Sequence, residues 1–235
     1  MSDPRTIRKG ERVDVAWVRL WDITVGAVSW DAAAGVGAFE YEPSFCSLGI
    51  EPAPVHMPAT PGRIYRFPGL GTEAFLGLPG MLADALPDRF GHKVIDAWLA
   101  RRGRASQDFS PVERLCYVGR RGMGALEFEP GFADGLEDAV PVEVAELARL
   151  ATRVQTERSE LQHQLAEDST AEEPLLDLLR VGTSAGGARP KAVLAWNPRT
   201  GEMRSGQDPP PDGFEHWQLK FDGVDDPGLE GRQSL

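Results

Sequence analysis

Four features in a fixed order near the C-terminal end constrain this chain more than any other part of it. The first is the run Val181-Gly182-Thr183-Ser184-Ala185-Gly186-Gly187-Ala188-Arg189-Pro190-Lys191. The apolar run Ala192-Val193-Leu194-Ala195-Trp196 follows at once, then a long polar turn, then Trp217-Gln218-Leu219-Lys220-Phe221, a strand with a lysine embedded in it. Glycines let backbone N–H groups converge on an anion, and a nearby cation neutralises it. A loop of this composition between a helix and a strand is therefore written as a phosphate cradle, with an ordinary helix-to-strand turn as the alternative. Lys220 reads either as an anion contact or as a strand-end lysine that snorkels to water. Ser184 is either an ordinary loop serine or a regulatory one; a phosphate on it would put charge into an anion-binding loop and expel the loop from the site.

The rest of the chain reads as α+β. Val13 to Leu20, Thr24 to Trp30 and Gly37 to Tyr41 have strand patterning, with turns at Trp21-Asp22 and Asp31 to Gly35, so a small meander is expected. Gly62 to Gly80 is rich in Gly and Pro and reads as loops, with Ile64 to Phe67 a short strand. Phe90, Val94, Ile95, Trp98 and Leu99 recur at helical spacing and predict a helix over about 88–102, with Asp88 as its cap and Gly103 as its end. Ser110, Pro111 and Glu113 spell a capping box with proline in the first turn. Val112, Leu115, Cys116 and Val118 are the buried face of that helix. Gly119 to Gly124 turns into a strand over Ala125 to Phe128, and Arg120-Arg121 reads as a solvated turn or a partner contact. Pro130 to Asp138 is a linker candidate. A long helix is expected from Val142 and a shorter one over Leu175 to Leu179. Ala192 to Phe221 reads as two strands. The six tryptophans, Trp17, Trp21, Trp30, Trp98, Trp196 and Trp217, are expected in the core.

Composition narrows the function classes. At 41% hydrophobic and 26% charged the chain can bury a core. A net charge of -11 opposes direct binding to DNA, RNA or an anionic membrane surface. Cys46 and Cys116, widely spaced, read as reduced thiols of a cytoplasmic protein. No apolar stretch approaches membrane-spanning length. The four histidines have no metal-ligand spacing.

Four segments together carry a resemblance. Leu86-Pro87-Asp88-Arg89-Phe90-Gly91, Tyr117-Val118-Gly119-Arg120-Arg121-Gly122-Met123-Gly124-Ala125-Leu126, Ser184 to Lys191, and Leu219-Lys220-Phe221 resemble, in order and spacing, the N-terminal portion of HipA-type serine/threonine kinase toxins. The similarity runs from about Val13 to Gly223. It implies a HipA-like N-terminal subdomain over 1–130. Over 131–235 it implies a linker helix and the start of the nucleotide-binding N-lobe of a protein-kinase-like fold, with the C-lobe missing. It implies a type II toxin–antitoxin module whose toxin phosphorylates an aminoacyl-tRNA synthetase, glutamyl-tRNA synthetase in particular, and renders cells dormant. It also implies a HipB-like helix-turn-helix antitoxin as partner, with DNA reached only through that antitoxin.

Carried onto this chain, Ser184 matches the phosphate-loop serine that is autophosphorylated. Ala185, Gly186, Gly187 and Ala188 match the loop over the ATP phosphates, Lys191 closes the motif, and Lys220 matches the strand lysine at the α- and β-phosphates. Arg189-Pro190 stands where some relatives carry a more polar pair. Mg2+ is implied only if a C-lobe is supplied. Fifteen residues follow Lys220, and none is in catalytic-loop context, so no catalytic or metal-binding residue is assigned. Phosphoryl transfer needs groups that place metal ions and orient the attacking hydroxyl. The expectation is a truncated or split kinase, inactive alone. The alternative is a non-catalytic binding module that engages the antitoxin or a separate kinase subunit.

Overall fold

The computed structural model describes residues 6–7, 12–88, 91–93, 95–96, 99, 105–122, 124–132, 191–206 and 211–220. The chain divides into two compact units, 1–86 with 107–134, and 87–106 with 135–235. The expected linker at 130–138 lies largely outside the described residues, and the helices expected from Val142 and over Leu175 to Leu179 lie wholly outside them.

The first unit is built on the expected meander. Strands β2 (Val15–Leu20), β3 (Ile23–Asp31), β4 (Val36–Tyr41), β5 (Ile64–Tyr65) and β6 (Leu126–Glu129) form one antiparallel sheet in the order β5-β4-β3-β2-β6. A separate short pair joins β1 (Thr6–Ile7) to β7 (Gly131–Phe132) in parallel. Trp21 and Asp22 close the β2–β3 hairpin with both φ angles positive, 50° and 64°. Two left-handed residues in a two-residue loop match the twist of the strands they join. At the next turn Asp31 Oδ1 accepts from the backbone N–H groups of Ala33 and Ala34, at 3.1 and 3.0 Å. That side chain replaces backbone partners the turn cannot supply.

Alternation along β2 sends Ala16, Val18 and Leu20 into the core. An aromatic cluster fills the space beside β4. Tyr41 stacks on Phe45 and meets Phe39 and Tyr65 edge-on, and its hydroxyl donates to the Met57 carbonyl at 2.9 Å. One-turn helices α1 (Pro43–Cys46), α2 (Thr72–Phe75) and α3 (Gly80–Ala83) punctuate the connections; none was expected, because four residues carry no periodicity.

Helix α4 (Pro111–Val118) starts as its sequence dictates. Ser110 Oγ accepts from Glu113 N at 3.1 Å, and Glu113 Oε2 accepts from Ser110 N at 3.0 Å. The helix is buried on every side from Val112 to Val118, because it packs against β2, β3, β6 and β7. Cys116 is fully buried, and loss of hydration pushes its thiol pKa well above the ordinary range.

The second unit departs from expectation in one element. β9 (Met203–Ser205) lies inside the stretch expected to be a turn, pairs with β8 (Lys191–Trp196), and makes a three-stranded antiparallel sheet with β10 (Glu215–Lys220) in the order β10-β8-β9. The correction has a simple cause: Met203-Arg204-Ser205 is too short and too polar to declare itself, and it forms because β8 offers a free edge. Residues 91–93, 95–96 and 99 are helical, with Ile95 and Leu99 buried as their spacing requires.

The expectation of six core tryptophans fails at three positions. Trp17, Trp21 and Trp217 are 49%, 70% and 53% exposed. Trp17 alternates with the inward residues of β2, Trp21 sits at a hairpin tip, and Trp217 lies on an edge strand. Trp98 lies outside the described residues.

Candidate functional site

The sequence-predicted site residues that are described, Lys191 and Lys220, sit on one small sheet. Its register puts Lys220 directly opposite Lys191, Gln218 opposite Val193 and His216 opposite Ala195. Directly opposite residues share a face. Arg204 joins that face from β9 through its pairing with Ala195. The other face takes Ala192, Leu194, Trp196, Met203, Trp217 and Leu219, with Ser205 and Glu215 as its polar members. There Trp196 and Trp217 meet edge-on with centroids 5.8 Å apart. The sheet thus has one face that carries its cations, Arg204 among them paired with Glu202 at 2.7 Å, and one that is mostly apolar, a sorting that follows from the two-residue period of β8 and β10.

The two lysines differ in surroundings. Lys220 is exposed at the end of the edge strand, whereas Lys191 is 6% exposed. Lys191 Nζ lies 3.9 Å from Asp88 Oδ2, and both side chains are 7% exposed. Asp88 has a second duty. Its Oδ1 accepts from Gly91 N at 2.8 Å and its carbonyl accepts from His92 N at 2.9 Å. It is the helix cap that the Leu-Pro-Asp run suggested, and it is also an ion-pair partner, which no local signal announced. Ser184, Ala185, Gly186, Gly187 and Ala188 lie outside the described residues. Among the described residues no group of three or more His, Cys, Asp or Glu is placed to hold a metal ion.

The arginine pair after α4 splits. Arg120 is exposed and meets Glu127 at 3.1 Å and Asp22 at 3.7 Å. Arg121, expected in a solvated turn, is 6% exposed: its guanidinium lies over the Tyr117 ring at 4.8 Å, and Nη2 donates to the Tyr117 carbonyl. A guanidinium can be buried this way because its flat face stacks on an aromatic ring. Elsewhere on the first unit, an open groove of about 600 Å3 is lined by Trp17, Arg19, Thr24, Glu42, Ser44, Glu129 and Pro130. Arg19 spans it toward Glu129 at 3.6 Å.

These features define a class: a mixed α/β protein with an antiparallel meander domain and a second antiparallel sheet that carries its cations on one face. Residues 16–129 of the first unit match the family model of the HipA N-terminal domain. No curated protein matches the chain. Two of the four signature segments, at 86–91 and 117–126, fall inside the matched stretch. Among the described residues, no helix is long and apolar enough to cross a membrane.

Proposed function

We propose that the second unit opens a nucleotide-binding lobe and that the chain is part of a HipA-type kinase toxin of a toxin–antitoxin module. In this reading the loop Ser184 to Ala188 covers the phosphates of ATP, and Lys220 meets them from the edge strand. Ser184 is then the autophosphorylation site. The substrate is an aminoacyl-tRNA synthetase serine, and a HipB-like helix-turn-helix antitoxin restrains the toxin and carries it to DNA. The observation that carries the proposal is the register of β8 and β10. It gathers Lys191, Gln218 and Lys220 on one face, the face that also takes Val193 and Ala195 of β8. A nucleotide needs cations beside apolar surface. Mg2+ belongs to this reading only where a C-lobe is supplied to hold it.

The test is ATP binding by the full chain and by Lys220→Ala. The expected result is at least a tenfold loss of affinity in the variant, on the order of one charge-assisted hydrogen bond. Equal affinity would remove Lys220 from the site. A second reading, a non-catalytic module that binds antitoxin or a separate kinase subunit, draws on the exposed Trp17 and its groove on the HipA N-terminal domain. It requires that the antitoxin co-purify with the chain even when nucleotide binding is abolished.

A further inference from the structure

We infer that Asp88 is a positioning residue for the cation-bearing face: it holds Lys191 as a buried partner, so that Lys220 is the lysine that meets an anionic ligand. The inference rests on the reading of this face as the phosphate side of a nucleotide site.

Three observations lead to it. Lys191 and Lys220 are directly opposite on adjacent strands, and like charges in that arrangement repel. One of the two is buried and the other exposed, and burial of an ammonium requires a partner. Asp88 supplies one at 3.9 Å, itself almost wholly shielded from water. The carboxylate is not free to wander, because its other oxygen is fixed by Gly91 N at the helix start. One carboxyl group therefore ties the first turn of the helix after Leu-Pro-Asp to the first residue of β8. That residue is where the glycine run ends. The place of the first residue of β8 is set by this tie, and so is the division of labour between the two lysines.

Asparagine caps a helix about as well as aspartate. Asp88→Asn therefore removes the charge and keeps the cap, and Lys191→Met keeps the aliphatic stem. The experiment uses the full chain with Asp88→Asn, Lys191→Met and the double variant, and Lys220→Ala alongside. Stability is read as hydrogen-exchange protection of peptides covering 191–196, and ligand binding as the ATP dissociation constant. Each single variant is expected to lower protection, and the double variant to lower it by clearly less than the two losses combined. Asp88→Asn is expected to bind ATP about threefold more tightly despite its lower protection, because one negative charge near the phosphates is gone and Lys191 is released. A merely structural lesion would weaken binding instead. The double variant is expected within about threefold of wild type, against the tenfold loss in Lys220→Ala. Additive losses of protection would overturn the tie. A tenfold loss of ATP affinity in the double variant would make Lys191 a ligand and overturn the division of labour. If no variant binds ATP, the nucleotide reading falls, and the protection cycle still decides the Asp88–Lys191 tie by itself.

Discussion

Replacing Glu113 by alanine should loosen two segments that lie 100 residues apart in sequence. Its carboxylate is 2% exposed. One oxygen accepts from Ser110 N at 3.0 Å, closing the capping box of α4; the other accepts from Val13 N at 3.4 Å, at the approach to β2. Loss of the capping half costs about 1 kcal/mol. The Val13 N–H, left buried without this acceptor, adds roughly 1–3 kcal/mol. The expected total is about 3 kcal/mol, or roughly two decades in a local opening equilibrium. Glu113→Gln keeps one carbonyl oxygen and should lose about half of that. The assay is hydrogen exchange by mass spectrometry, with peptides covering 13–20 and 110–118 followed separately. Protection should fall together in both peptides for Glu113→Ala. The reasoning is refuted if the 13–20 peptide stays within about threefold of wild type while 110–118 loosens, since the long-range bond would then contribute nothing.

Two further outcomes follow from the first unit. Gly26→Ala should cost about 3 kcal/mol or more, because a Cβ there would run into the Glu40 backbone carbonyl and lie 2.8 Å from the Phe39 ring; a urea midpoint unchanged from wild type would show that β3 and β4 can separate freely. Burial pushes the Tyr41 hydroxyl and the Cys116 thiol up in pKa. The folded state therefore keeps protons that the unfolded chain sheds, and stability should fall as pH rises above about 8.5 and again above about 10. Tyr41→Phe should flatten the upper part of that decline in urea titrations between neutral pH and pH 11; an unchanged slope would remove Tyr41 as its source.

How much was legible depends on how far apart the cooperating residues are. The capping box of α4, the alternation of β2, the Asp31 turn and the cap at Asp88 each involve neighbours within a few positions, and each stood in the sequence. β9 was missed because three residues have no pattern of their own and need the edge of β8. The tryptophan expectation failed because hydrophobicity says what a side chain gains by burial, not whether a neighbour arrives to bury it. Arg121 was read as solvated because its charge is visible in sequence and the ring that covers it is not.

By itself the sequence determined the meander, the start of α4, and the strands β8 and β10. These depend on local backbone preference and on periodicity, which adjacent residues settle among themselves. Tertiary structure alone decided that Glu113 also serves Val13, that Lys191 is buried against Asp88, and that Lys220 stands opposite Lys191 on an exposed edge. Those pairings join residues far apart in the chain, and only the folded chain brings them close enough for a hydrogen bond or a charge to act.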